Sequence, residues 1–126
     1  MNTREFINDY WRYVAAQDEQ NLRGCFLDDA IVQWHCTNEK FTVEEFIRAN
    51  CEYPGSWNGE IERYIHIDNI VITAVRVWTD DMSFHVSSFF YLENDKIRTL
   101  DEYWGDDGDA PEWRQKMKIG SVIRES

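Results

Sequence analysis

The second half of the chain constrains the fold most. Four runs rich in β-branched and aromatic residues, 60–67, 70–79, 82–93 and 96–104, are separated only by the dipeptides Asp68-Asn69, Asp80-Asp81 and Asn94-Asp95. Asn and Asp tolerate the backbone of a tight two-residue turn, so each dipeptide reads as the tip of a hairpin. Strands joined in this way form an antiparallel meander. Two-residue turns also set the pairing by arithmetic: Arg76 opposes His85, Ala74 opposes Ser87, His85 opposes Trp104, and Ser87 opposes Glu102.

The first half has a helical period instead. Thr3 can cap a helix reaching about Gln17, with Phe6, Tyr10, Tyr13, Val14 and Gln17 on one stripe. Asp18 can cap a second, short helix through Leu22, Cys25 and Phe26 that ends near Asp28-Asp29. Residues 31–36 then read as a strand. Thr42 and Glu45 occupy capping-box positions for a third helix, with Phe46, Ile47, Asn50 and Cys51 on one face and a stop at Tyr53-Pro54-Gly55. The tail from 106 to 126 has no clear period, although Trp113 and Ile119 offer apolar anchors. The whole, residues 1–126, is expected to be one α+β domain with its core at about 4–105.

Charge narrows the partners. Thirteen basic against 24 acidic residues give a formal charge of -11. Such a surface repels phosphate backbones and anionic headgroups, which argues against nucleic acid and against a membrane surface. The N-terminal residues contain acids and lack a signal-like apolar core, so a cytoplasmic location is expected. Cys25, Cys36 and Cys51 are odd in number and contain no Cys-x-x-Cys pair, so they read as buried, reduced thiols. Nineteen aromatic residues, six Trp, six Tyr and seven Phe, exceed what an acidic disordered chain carries and could line a ligand cavity.

Two local patterns give these elements a known order. Asp18 stands eight residues ahead of Phe26-Leu27-Asp28-Asp29-Ala30, and Lys96-Ile97 follow a turn and run to Tyr103-Trp104. Together with the order helix, helix, strand, helix, meander, they resemble the nuclear transport factor 2-like superfamily and its SnoaL-like members. The resemblance implies a cone-shaped, cystatin-like fold, with three N-terminal helices packed on a strongly curved, mostly antiparallel sheet, usually dimeric and with a small-molecule pocket between sheet and helices. It implies no single activity, since ketosteroid isomerases, polyketide cyclases, scytalone dehydratase, epoxide hydrolases and silent binding domains share it. Tyr10 falls where the isomerases carry an oxyanion-hole tyrosine. Their general-base position falls on Trp34, however, and their second acid near Ser87, so that mechanism is not complete here. Scytalone dehydratase matches only through a histidine near His85 and the first-helix tyrosines; polyketide cyclases match through a late-strand acid at Asp101 or Glu102.

The turn arithmetic sorts the meander into two faces. One holds Arg76, Trp78, His85, Ser87, Phe89, Glu102 and Trp104; the other holds Val75, Val77, Phe84, Val86, Phe90, Asp101 and Tyr103. Because residues 60–67 send Ile61 and Ile65 to the first face and Glu60, Glu62 and His66 to the second, the first is expected to be concave. There His85 can serve as general acid or base, Glu102 as its orienting partner and Arg76 as an anion stabiliser, with Tyr10 from the first helix. The competing reading is a structural Arg76–Glu102 ion pair bridged by His85. A bulge in these strands would exchange part of the set for Ser88, Asp101 and Tyr103. Ligand-contact candidates are Trp34, Tyr53, Trp57, Trp78, Ser87, Phe89, Asp101 and Trp104. His35 and His66 are expected on the surface. Asp106-Asp107-Gly108-Asp109 lacks the twelfth-position Glu and the flanking helices of a calcium loop. No metal and no cofactor is indicated.

Three functions are open on these residues: binding of a small, largely apolar or aromatic molecule, a cofactor-independent isomerase or lyase using His85, Glu102 and Tyr10, and a structural dimerisation module. The second face, apolar at Val75, Val77, Phe84, Val86, Phe90 and Ile97, is expected to pair two copies as a homodimer unless the tail folds over it.

Overall fold

The computed structural model describes residues 1–125. Helix α1 (Thr3–Ala16) is capped by Asn2, whose side chain accepts from the Glu5 backbone, rather than by Thr3. It buries Ile7, Tyr10, Trp11 and Val14, a stripe rotated from the expected one, and Phe6 and Tyr13 flank it. Asp18 caps α2 (Glu19–Arg23), and Thr42 with Glu45 forms the anticipated capping box of α3 (Val43–Cys51). Among the described residues no helix is long and apolar enough to cross a membrane.

Strand β1 (Phe26–Trp34) begins well before the expected Ile31, so Asp28 and Asp29 lie in a strand and not at a helix end. It is followed by a short strand that the sequence pattern did not reveal, β2 (Glu39–Thr42), joined through a turn in which Asn38 takes a left-handed φ of 57°. The meander appears as β3 (Asn58–Ile67), β4 (Ile70–Trp78), β5 (Ser83–Glu93) and β6 (Lys96–Asp106). Asn94 and Asp95 both take positive φ, as a tight hairpin tip demands. One curved six-stranded sheet results, in the order β2-β1-β6-β5-β4-β3, antiparallel except where β1 runs parallel to β6. The expected α+β architecture of helices on a curved sheet is therefore present.

Arg76 opposes His85 and Ala74 opposes Ser87, as the arithmetic required. Between β5 and β6 the register slips: Leu92 pairs with Ile97 but Tyr91 pairs with Thr99, leaving Arg98 as an extra residue. From there on Ser88, not Ser87, opposes Glu102, and Val86, not His85, opposes Trp104. A second bulge, at Glu62, interrupts β3 against β4.

These bulges overturn the expected facing. Val75, Val77, Val86, Phe90 and Ile97, expected on an outer dimer face, are all buried in the core beneath α1 and α3. Arg76, Trp78, His85, Ser87 and Phe89 lie on the opposite, outer face. The inference failed at β3, because that strand is an edge: Ile65 and Ile67 stand 49% and 58% exposed and report nothing about the core. The tail does not cover the sheet as a packed layer. It forms α4 (Glu112–Met117), and Trp113 and Ile119 remain exposed. Of the thiols only Cys25 is buried; Cys51 is half-buried and Cys36 exposed.

Candidate functional site

A cavity of about 470 Å³ opens between the inner face of the sheet and the C-terminal ends of α1 and α3. Its wall is a succession of rings: Trp34 meets Trp104 with centroids 6.2 Å apart, Trp104 meets Phe84 at 6.3 Å, Phe84 meets Trp57 at 5.9 Å and Trp57 meets Tyr53 at 5.3 Å. Val14, Val77, Ala49 and Asn50 complete the interior, and Cys36, Thr37, Glu39 and Asp106 stand with them.

Local hydrogen bonds hold this mouth open. Gln17, left-handed at the end of α1, donates its amide to the carbonyls of Asn50 and Tyr53 at 2.9 and 2.6 Å. Asn50 returns a bond to the Val14 carbonyl at 3.2 Å. The two helix ends are thereby tied together, and the Tyr53–Trp57 loop is fixed across from the sheet. Gly55 adopts φ 122° in that loop with Thr79 close by, a conformation that any side chain would strain.

Beneath the rings lies Glu102, 1% exposed. Ser88 donates to one carboxyl oxygen at 2.6 Å, and the indole N–H groups of Trp34 and Trp104 donate to the other at 3.1 and 3.3 Å. Among the described residues no cation pairs with it. Burial raises its pKa to about 7, and the three donors pull only partly the other way. The carboxyl belongs to a row in register across five strands: Tyr64 opposes Thr73, Thr73 opposes Ser88, Ser88 opposes Glu102, and Glu102 pairs with Trp34. The hydroxyls of Tyr64 and Thr73 have no hydrogen-bond partner in this row, nor does that of the fully buried Tyr10 above it. Burial, then the Glu102 charge, raises the Tyr10 pKa well above its ordinary value.

The expected His85–Glu102 pair does not exist. His85 is on the outer face, where Nδ1 bonds Asp107 and Nε2 faces Glu62 at 3.2 Å. The hydrogen bond it donates to Asp107 leads the causes that raise its pKa, ahead of the carboxylate charges. Arg76 donates to Ser83 at 3.2 Å, and its guanidinium lies 4.4 Å from the Trp78 ring centre. Neither an Arg76–Glu102 ion pair nor a bridging histidine is present, so the structural reading of that trio falls with the catalytic one.

Of the proposed ligand contacts, Trp34, Tyr53, Trp57 and Trp104 line the cavity. Trp78, Ser87, Phe89 and Asp101 do not: they occupy the outer face, where Asp101 accepts from Gln33 and pairs with His35. His35 and His66 are exposed as expected, and His35 stacks on Tyr103. The sequence reading missed Phe84 and Val77, assigned to the wrong face, and Ser88, which it named only as the consequence of a bulge. It also missed Asp106 and Glu39 at the cavity, for which no short-range signal exists.

No family model and no curated protein matches the chain at significant similarity. The chain shares its fold with solved structures described as nuclear transport factor 2-like, ketosteroid isomerase-like and SnoaL-like polyketide cyclase proteins. A nuclear transport factor 2-like protein of unknown function from Burkholderia xenovorans LB400 superposes with a TM-score of 0.76 at 23% identity, covering 94% of each chain. A ketosteroid isomerase candidate from Kribbella flavida DSM 17836 gives 0.80 at 18% identity over 98% of this chain and 91% of its own. A hypothetical protein with a ketosteroid isomerase-like fold from Catenulispora acidiphila DSM 44928, solved in complex with trimethylamine, gives 0.69 at 10% identity over 79% and 84%.

Proposed function

We propose that this chain is a small-molecule-binding protein whose ligand, largely apolar or aromatic, occupies the cavity ringed by Trp34, Tyr53, Trp57, Phe84 and Trp104. One observation carries the reading: the cavity is open and walled by aromatic rings, yet His85 and Arg76 are on the other side of the sheet and Glu102 is shielded by two indoles. Rings in such a wall supply contact area without a reacting group. A neighbour of the same fold that holds a small organic molecule supports the reading. Trp57→Ala removes wall area from a residue that is only half-buried. It should weaken binding of a neutral hydrophobic probe such as N-phenyl-1-naphthylamine about tenfold, with little change in thermal midpoint. Unchanged affinity would reject the cavity as the site.

A second reading, a cofactor-independent isomerase or lyase, is favoured by one feature, a buried carboxyl held near pH 7 beside that wall. Rotation of Trp104 would have to uncover it, and Glu102→Gln would then abolish turnover without loss of binding. A purely structural module is the least favoured, because such a module has no need of an open cavity. We further propose a homodimer through the outer sheet face, on Ile65, Ile67 and Tyr103, which stand exposed, and not on the core residues first considered. A solution mass near 15 kDa at micromolar concentration, rather than twice the chain's 15.1 kDa, would reject it.

A further inference from the structure

We infer that the cavity is built for an organic cation, a tertiary or quaternary ammonium carrying an apolar group, with its charged head against the rings of Trp34, Trp57 and Trp104. The inference rests on the binding function proposed above and names the ligand class.

Three observations converge. The ionisable groups lining the cavity are Glu39, Asp106, the Cys36 thiol and the Tyr53 phenol; among the described residues no Lys, Arg or His lines it. An anion entering would meet two carboxylates at the mouth, in a chain that already carries -11. A cation meets the same groups favourably. The nearby guanidinium, Arg76, is engaged with Ser83 and Trp78 on the far face of the sheet and does not neutralise them.

The rings themselves are the second observation. Successive members of the wall are tilted by 64°, 80°, 37° and 69°, so they do not stack face to face and instead present rings in several orientations to the one cavity that they line. A set of faces turned around a common volume is what a cation needs to meet several quadrupoles at once. Third, both floor indoles point their N–H groups at the one carboxyl of Glu102. Donation to an oxygen acceptor turns the electropositive N–H edge out of the cavity and enriches the ring face in electron density. This strengthens the face's attraction for positive charge.

The lining also sets the degree of substitution. A primary ammonium brings three N–H donors that require acceptors throughout the cavity. Only the mouth offers carboxylates, and the Glu39 carboxylate already takes the Thr37 hydroxyl at 2.7 Å. Alkylated nitrogen has few or no donors to satisfy, so it loses little on entering an apolar ring-lined space.

The test compares phenyltrimethylammonium with tert-butylbenzene, which has the same shape and no charge, by quenching of tryptophan fluorescence in the full chain. Transfer from water alone favours the neutral compound, so a preference for the ammonium measures the site. The ammonium should bind about tenfold or more tightly. Trp57→Leu should erase most of that preference, and the exposed pair Glu39→Gln with Asp106→Asn should reduce it while leaving the fold intact. Should Trp57→Leu fail to fold, the double rim variant alone decides. Equal or tighter binding of tert-butylbenzene overturns the cation inference and leaves the binding function standing. Binding of neither compound overturns both.

Discussion

Across the inner face of the sheet Tyr64, Thr73, Ser88, Glu102 and Trp34 stand in register with no cation among them. Across the outer face Glu62, His85, Asp107, Ser83 and Arg76 form a charged chain open to water. The two sets are carried by the same strands. On the inner side burial raises the acid's pKa, and neutral donors satisfy it. On the outer side, hydrogen bonding and charge raise the histidine's pKa while water screens the result. A titratable group thus takes its chemistry from the face it is on, and in β6 that face is decided by one extra residue, Arg98.

The sharpest way to break this comparison is to truncate adjacent aromatics on β5. Phe90 is fully buried against Tyr10 and Trp11, with ring centres 5.1 and 6.3 Å away, whereas the neighbouring Phe89 touches Tyr103 on the outer face. Phe90→Ala should cost about 3–5 kcal/mol of unfolding free energy, and Phe89→Ala about 1 or less. Chemical denaturation of both variants measures this, and equal losses would mean that the facing is wrong.

Glu102→Gln should have the next largest effect, and it depends on pH. The folded acid titrates at about 7 and the ordinary carboxyl at 4.5, so between these values the folded chain binds more protons than the unfolded one. Stability contributed by the neutral acid is full below pH 4.5 and is lost as pH rises through 7, a change on the order of 3 kcal/mol. Gln keeps an acceptor for the indoles and does not titrate. At pH 5 the variant should match the wild type, and at pH 8 it should be the more stable of the two. A wild-type-to-variant difference that is the same at both values would show that Glu102 is not held neutral.

Much of the fold was legible because its signals are local. The Asx dipeptides gave the hairpins, Thr42 and Glu45 gave α3, and Asp18 gave α2, each through bonds made within a few residues. The site was not legible in the same way. Trp34, Tyr53, Trp57 and Trp104 could be nominated as rings near a pocket, but their companions depended on pairing across β5 and β6. An extra residue at Arg98 has no sequence signature, since the bulged position is a charged residue like its surroundings. Because β4 and β5 mix polar and apolar side chains on both faces, with Thr73 and Ser88 inside and Ile72, Trp78 and Phe89 outside, alternation could not correct the slip. Asp106 reaches the cavity only because β6 runs two residues further than its last recognisable aromatic, Trp104.

The smallest effect belongs to the outer face. His85 lies between Asp107 and Glu62, and its folded pKa is raised first by the hydrogen bond it donates to Asp107. Asp107 is in turn lowered: burial opposes this, but the Ser83 hydroxyl and His85 outweigh it. For the histidine the sign is opposite to that of a depressed acid. Its stabilisation is full below the ordinary value of 6.5 and is lost as pH rises through the raised folded value. The side chain is 36% exposed, so solvent screens both partners and the contribution amounts to a few tenths of a kcal/mol. His85→Gln should therefore be slightly less stable than the wild type at pH 5.5 and indistinguishable from it at pH 8.5. Ligand affinity should not move at either pH, because the cavity is on the other side of the sheet. Histidine proton resonances followed by NMR against pH give the titration directly. A loss of several kcal/mol, or a fall in affinity, would put His85 back with the buried row and reverse the assignment of the two faces.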